Sequence, residues 1–191
     1  LIGPGIMPIP PTGWGGVEAL IWNYSQELQR QGHEVKIQNT WLGNSLEEPP
    51  SIIQAMIKDV NDWNPDFVHL HYDHYCDIMP YIDAPRAITS HYPYLDYPDK
   101  RSGYEWIFHK FCKNHSNIFT LSDLNSVHFR SFGAKEDLLW TWIYGVNADS
   151  FRFSKTAELH DRTICLGKIE PRKQQFILQA ISANIDFAGP S

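Results

Sequence analysis

Apolar residues recur along the chain at two different periods, one typical of helices and one of strands. In the first third, two segments repeat them every three or four residues, which predicts two helices that each bury one face. The positions are Val17, Leu20, Ile21, Tyr24 and Leu28 in the first segment, and Ile52, Ile53, Met56, Ile57 and Val60 in the second. Gly32 follows the first segment, where a left-handed residue would end the helix.

Short apolar or alternating runs lie between the helical segments and predict strands. They begin with Leu1–Ile2 and continue at 34–38, 66–71, 86–90, 117–121, 138–144, 162–166 and 185–187. Further helices are predicted at 104–112, 125–132 and 174–181. Strands and helices that alternate at this spacing predict an α/β fold, with a Rossmann-like parallel sheet and helices on both faces.

A polar stretch without periodicity, Asn147–Asp161, indicates a change of domain. We therefore expect one domain over residues 1–150 and a linker over residues 151–161. Residues 162–191 are then the incomplete start of a second Rossmann-like domain.

Composition and charge narrow the function classes. Of 191 residues, 42% are hydrophobic and 20% are charged, as in ordinary globular proteins. The net charge of −6 disfavours a nucleic-acid partner.

No apolar run is long enough for a membrane span, and no secretory signal is visible. Three widely spaced cysteines fit a reducing compartment, so we expect a cytoplasmic protein. The 14% of aromatic residues fit either a bulky core or a sugar-facing surface.

A Gly/Pro loop over residues 3–16, which ends in Thr12–Gly16, leads from the first strand into the first helix. Its glycines let the backbone approach a ligand, and a helix N-terminus offers unpaired N–H groups to a phosphate. The spacing matches neither the dinucleotide fingerprint nor the P-loop. A structural turn and an anion site both remain open.

Several segments together resemble glycosyltransferase family GT4, whose members are retaining enzymes. Gly15–Glu18 opens a helix that ends in Arg30–Val35, which is similar to the first motif of that family. The other similar segments follow in the family's order: Asp66–His71, Thr89–His91, Leu121–Ser122, Tyr144–Phe151 and Gly167–Lys173. The chain departs from the family pattern at Tyr144, Asn147 and Lys168. The resemblance implies the GT-B fold, in which an acceptor-binding domain and a nucleotide-sugar-binding domain face a cleft.

The resemblance also implies an activity and a set of site residues. A sugar would pass from a nucleotide-diphosphate donor to an unidentified acceptor with retention of configuration, through an oxocarbenium-like state that charge and positioning stabilise. His91 would line the reacting centre. The donor would be bound by Gly15, Gly16, Lys168 and Lys173. The acceptor would be bound by Glu18, His71 and Tyr92.

No cofactor and no metal are implied by the resemblance. The implied partners are a nucleotide sugar and a carbohydrate or lipid-linked acceptor, and peripheral contact with a membrane stays open. Members of the family hold the donor sugar through a Glu-rich motif deep in the second domain, beyond the part matched here. We therefore expect a fragment that by itself binds nucleotide sugars weakly and transfers no sugar.

Two other functions stay open. His69, His71, Asp73 and His74 spell HxHxDH, the zinc signature of the metallo-β-lactamase fold. Imidazoles two residues apart on an extended segment can face one metal, which would make the protein a metal-dependent hydrolase. The residues after the motif are not the glycines expected of that fold. The third function is a truncated, non-catalytic binding module.

Overall fold

The structure is a computed structural model with two compact units, Leu1–Asn147 and Ala148–Ser191. It describes residues 1–5, 7–13, 15–39, 50–91, 109–110, 112–113, 116–142, 145, 148–149, 163–167, 169–180 and 184–189, with the backbone alone at 50, 73–75, 172 and 179. The linker predicted over 151–161 lies outside the described residues. Helices and parallel strands are both present, so the predicted mixed α/β class is confirmed.

The described residues of the first unit include three helices and four strands. The helices are α1 (Gly16–Arg30), α2 (Pro50–Trp63) and α3 (Asp123–Ser131). The strands are β1 (Val68–Leu70), β2 (Arg86–Thr89), β3 (Asn117–Thr120) and β4 (Leu139–Thr141). Two 3-10 helices lie at Asp73–Tyr81 and Glu136–Leu138. No helix of the described residues has the length and apolar character needed to cross a membrane.

The four strands form one parallel sheet in the order β1-β2-β3-β4. Ile2 extends this sheet beyond β1 through parallel bridges to Leu70 and Gln38. The Ile2 N–H donates to the carbonyl of His69 at 2.8 Å. The spatial order is therefore Gln38, Ile2, β1, β2, β3, β4, and the direction of winding reverses between Ile2 and β1. Ligands of open parallel sheets bind at the carboxyl ends of the strands beside such a reversal.

The two faces of the sheet differ in chemistry, because successive residues of a strand point to opposite sides. One face is aliphatic and packs against α2, α3 and the 3-10 helix Asp73–Tyr81. Its buried residues include Ile2, Met56, Val60, Val68, Leu70, Ile78, Met79, Ile82, Ile88, Ile118 and Phe129. The other face carries His69, Thr89 and Phe119, and Tyr24 of α1 packs against it.

Local signals explain where the helices begin and end. The α1 helix stops at Arg30, and Gly32 adopts a φ of +93°, as the sequence predicted. The α3 helix starts two residues before its predicted start. The reason is a cap, since the Asn125 N–H donates to the Ser122 hydroxyl at 3.2 Å and satisfies an otherwise unpaired donor.

Three expectations for the first unit differ from the structure. The segment predicted as a strand over 34–38 joins the sheet through a single bridge at Gln38. The 3-10 helix Asp73–Tyr81 was not predicted, because its apolar residues follow no helical period. The β4 strand begins at Leu139, since a 3-10 turn occupies Glu136–Leu138. Of the helix predicted at 104–112, residues 109, 110 and 112 are described and helical.

The second unit contains a parallel strand pair and a short helix. The strands are β5 (Thr163–Leu166) and β6 (Ile185–Ala188), with Cys165 opposite Phe187. Between them lie the 3-10 helix Pro171–Lys173 and the helix α4 (Gln175–Gln179). These elements occupy the segments where the sequence predicts strand, helix and strand.

Candidate functional site

Two histidines meet where two neighbouring parallel strands end. His71 follows β1, and its N–H donates to the carbonyl of Ile2 at 2.9 Å. Ser90 continues β2 by donating its N–H to the carbonyl of Phe119 at 3.1 Å, and His91 comes next. The Nδ1 atom of His71 lies 3.2 Å from Nε2 of His91, with the ring planes 30° apart. The pair therefore lies at the carboxyl edge of the sheet, beside the reversal in winding.

His69 lies two residues before His71, on the same face of the sheet and further from its carboxyl edge. Its Nε2 atom is 2.6 Å from the hydroxyl oxygen of Thr89 on β2. Its ring stacks on His71 with centroids 4.1 Å apart, and it also contacts Phe119 at 5.2 Å and Trp142 at 5.6 Å. Thr89 and the neighbouring rings fix His69, which in turn supports the ring of His71.

Tyr24 of helix α1 packs over the histidines on this face of the sheet. The Tyr24 ring meets His69 and His71 edge-on, with centroids 6.0 and 6.2 Å away, and contacts Trp142 at 5.5 Å. Burial raises the pKa of the Tyr24 hydroxyl, so this group stays protonated at neutral pH. The imidazoles thus pack against aromatic rings on the α1 side of the sheet.

Burial keeps the three imidazoles uncharged at neutral pH. His69 is 3% exposed and His71 is 0% exposed. Loss of hydration disfavours the charged form and lowers the pKa of His69 to about 3 and that of His91 to about 4. The pKa of His71 is also lowered well below 6.5, chiefly by burial and further by His69 and His91. The cluster can therefore offer hydrogen bonds at pH 7, but no positive charge.

The glycine loop enters α1 at a position that only glycine suits. Gly15 has a φ of +148°, and a Cβ there would lie 3.0 Å from Oε2 of Glu18 and 3.2 Å from the Met7 sulfur. Glu18 is 6% exposed. The Gly15 carbonyl accepts the N–H of Ala19 at 2.9 Å, and Gly15 brings no side chain to cap the helix. A Cβ on Gly16 would contact nothing within 4 Å.

Asn39 holds the first part of this loop. Its Oδ1 accepts the Gly5 N–H at 2.9 Å, and its Nδ2 donates to the carbonyl of Met7 at 2.7 Å. A Cβ on Gly3 would lie 2.6 Å from the same Oδ1, so glycine is required there by close approach. The sequence pattern predicts no role for Asn39, because its partners are more than 30 residues away.

In the second unit, Lys173 lies against the turn that follows β5. Gly167 has a φ of +144°, and a Cβ on it would lie 2.9 Å from Nζ of Lys173. The glycine at this turn thus leaves room for the ammonium group. Two other predicted site residues, Lys168 and Tyr92, lie outside the described residues.

The residues of the HxHxDH string are only partly described. His69 and His71 share one face of the sheet, but each has a ring nitrogen within hydrogen-bond distance of another side chain. The side chains of Asp73 and His74 lie outside the described residues. Among the side chains that are described, no group of three or more His, Cys, Asp or Glu residues is placed to hold a metal ion.

Sequence reasoning missed four residues around the histidines: Tyr24, Thr89, Phe119 and Trp142. One signal in the sequence is the spacing of ring side chains at every second residue along the strands. His69 and His71 show it on one strand, Trp140 and Trp142 on another, and Phe119 lies on a strand between them. Period-two spacing on parallel strands brings such side chains to the same face.

Comparison of the chain with protein-family models finds no match, and no curated protein matches it either.

Proposed function

We propose that this protein is a retaining glycosyltransferase of the GT4 type, which moves a sugar from a nucleotide-diphosphate donor to an acceptor. The observation that carries the proposal is the His71–His91 pair at the carboxyl edge of the parallel sheet, beside the reversal in winding. Open α/β sheets bind their ligands at this place. The Thr89–His91 segment, which resembles a GT4 motif, ends there.

The loop entering α1 supports the same proposal. Gly3 and Gly15 allow close backbone packing, and the first turn of α1 has N–H groups that no Gly15 side chain caps. Such N–H groups and the helix dipole favour an anionic oxygen. In this proposal, Gly15 and Gly16 approach the donor, while Glu18 hydrogen-bonds an acceptor hydroxyl.

The second unit would supply a cation to the donor diphosphate. Lys173 places its ammonium group over Gly167, at the turn after a parallel strand. Departure of the nucleoside diphosphate builds negative charge on the leaving oxygen, which a cation stabilises. Lys168 is assigned the same role by the resemblance. The Rossmann-like GT-B architecture and the boundary between an acceptor domain and a donor domain belong to this proposal.

The chemistry would rest on positioning and hydrogen bonds around the reacting carbon. His91 is uncharged at pH 7, so it contributes a hydrogen bond rather than a positive charge. Preorganised donors aimed at developing charge are worth about 10²–10³ in kcat each. No resident cofactor takes part in these steps.

The test is an assay of the protein expressed from its complete reading frame. Nucleotide sugars that carry a radiolabelled sugar are incubated with it, together with a panel of carbohydrate and lipid-linked acceptors. We expect release of nucleoside diphosphate and transfer of the label, with NMR showing the donor's anomeric configuration in the product. Inverted configuration, or no turnover with any donor, would contradict the proposal.

A further inference from the structure

A cleft runs along the amino end of the sheet, between the segment 34–37 and the residues that lead into β1. On the side of α1 it opens into a cavity of about 360 Å³, where Tyr24 and Leu28 form one wall. On the side of α2 it opens into a smaller cavity of about 20 Å³, beside Val60. The two cavities are two sides of one cleft, because the same five residues line both: Leu1, Lys36, Trp63, Pro65 and Phe67.

The width of the cleft is that of one strand. Where the cleft ends, Ile2 lies between its two walls, with parallel bridges to Gln38 on one side and to Leu70 on the other. The Leu1 amino group donates to the carbonyl of Lys36 at 2.7 Å, and the Gln38 N–H donates to the carbonyl of Leu1 at 2.8 Å. Neighbouring strands of a sheet are about 4.8 Å apart. Two such spacings separate the walls at Ile2, which leaves room for a single extended chain.

Backbone groups of both walls point into the cleft. Successive residues of a strand direct their N–H and C=O groups to opposite sides. The carbonyl of Lys36 bonds to Leu1, so the Lys36 N–H faces the cleft as well. Val68 donates its N–H towards β2 at 2.8 Å, so the N–H of His69 and the carbonyl of Phe67 face the other way, towards the cleft. An extended chain in the cleft would bond to these groups, as an added strand does in peptide recognition.

We propose that the cleft is a strand-binding site, and that its occupant is the segment of this protein's complete reading frame that is joined to the amino group of Leu1. The position of the cleft decides the choice of occupant. A chain that runs parallel to β1 and enters Leu1 continues the ladder that Leu1 and Ile2 already make with both walls. The segment 34–38, whose alternation predicts a strand, then pairs along its length instead of at Gln38 alone.

The alternation of side chains along a strand determines what the occupant offers to each cavity. The second residue before Leu1 faces the same side as Leu1, into the larger cavity beside Tyr24 and Leu28. The residue directly before Leu1 faces the same side as Ile2, towards Val60. Parallel strands that are covered on both faces are near-continuous apolar runs. We therefore expect apolar side chains at both positions, with a large one at the second.

The occupant would also support the histidine cluster from its amino end. Tyr24 and Phe67 both line the larger cavity, and both rings contact His69, with centroids 6.0 and 6.3 Å away. Phe67 is 46% exposed. An apolar side chain in the cavity would bury this ring and restrict both aromatic neighbours of His69.

The test is NMR of the protein expressed from its complete reading frame. We expect nuclear Overhauser contacts of a parallel ladder between the residues before Leu1 and the amides of Lys36 and His69. Exchange of these two amides with solvent should be at least about tenfold slower than in the chain that begins at Leu1, because hydrogen-bonded amides exchange only when the structure opens.

The contacts in the wild-type protein decide the outcome, and they involve no sugar transfer. A mature protein that begins at Leu1 would overturn the proposal. Contacts of the two amides with a second copy of the chain, with another segment, or with nothing would also overturn it.

Two substitutions at one position separate the backbone bond from the side chain. Lys36→Pro and Lys36→Ala both remove the ion pair with Asp59, but only proline removes the N–H that faces the cleft. Urea unfolding measures the effect of proline relative to alanine. In the equilibrium constant of unfolding, we expect this effect to be about 2- to 10-fold larger in the complete protein than in the chain that begins at Leu1, the contribution of one backbone hydrogen bond. An equal effect in both proteins would contradict the proposal.

Discussion

A Cβ on Gly15 would stand 3.0 Å from the Oε2 atom of Glu18, within the first turn of α1. The backbone of Gly15 adds a second requirement, since its φ of +148° is one that side chains rarely allow. The position of the buried Glu18 carboxylate therefore requires glycine at position 15. Both residues were assigned to the site from the resemblance alone.

Replacement of Gly15 by alanine should destabilise the protein. Strained backbone and contact with the Glu18 side chain should together lower the free energy of unfolding by about 1–3 kcal/mol. Urea unfolding followed by circular dichroism measures the change. The neighbouring Gly16→Ala provides a matched control, because a Cβ there meets nothing within 4 Å and alanine suits a helix better than glycine. Equal destabilisation by both substitutions would contradict the explanation.

Removal of the His91 imidazole should reduce turnover more than stability. His91→Ala, assayed with the donor that gives transfer, should lose about 10²–10³-fold in kcat, as is typical when one donor to developing charge is deleted. His33→Ala is the matched control, because His33 is exposed and lies just beyond the end of α1. We expect that variant to keep full activity. A folded His91→Ala protein with unchanged kcat would remove His91 from the reacting centre.

Mild acid should destabilise the fold through the histidine cluster. The folded pKa values of His69 and His91, about 3 and about 4, lie below the ordinary 6.5, so the unfolded chain binds protons first as the pH falls. Stability is fully present above pH 6.5 and decreases below it towards the folded pKa values. Each such imidazole makes the free energy of unfolding fall by about 1.4 kcal/mol per pH unit in this window.

Urea unfolding between pH 7 and pH 5 isolates this effect from the carboxylates. Hydrogen bonds from Arg30 and Gln31 lower the pKa of Glu27 from 4.5 to about 2, so its contribution is lost only below pH 4.5. His69→Phe keeps a ring in place and removes one titrating group. Its pH slope should be shallower than that of the wild type, and an identical slope would show that His69 does not titrate on unfolding.

Purified protein should contain no stoichiometric zinc, and chelators should leave its melting temperature unchanged. The reason is that His69 and His71 each have a ring nitrogen in contact with a protein side chain, Thr89 and His91 respectively. Metal analysis by mass spectrometry and thermal melts with and without EDTA provide the measurement. One zinc per chain, lost in His71→Ala, would instead favour the hydrolase.

Periodic segments of the sequence predicted most of the first unit. Helices α1 and α2 and strands β1, β2 and β3 lie where their patterns place them, since each buries a continuous face or run. The 3-10 helix Asp73–Tyr81 was missed because its form depends on packing against the aliphatic face. The start of α3 was missed because it depends on a single hydroxyl, that of Ser122.

Less of the candidate site than of the fold could be predicted from the sequence. His71 was expected to contact an acceptor, whereas its ring is fully buried and lies against His91; its contact with a substrate stays a prediction. The register between β1 and β2 brings these two residues together, and a sequence pattern does not specify that register. The same holds for Trp142, whose N–H donates to the Thr120 carbonyl at 2.6 Å and so carries the ring onto the histidine face.

Asn39 makes the shape of the glycine loop a non-local property. The loop residues Gly5 and Met7 bond to a side chain 34 and 32 positions further along the chain. A newly made chain that has emerged only as far as α1 contains every glycine of the loop but lacks the group that folds it. The loop can therefore take its final form only after the segment that ends at Asn39 has docked beside Ile2, so the loop is completed later than α1, the helix that it precedes.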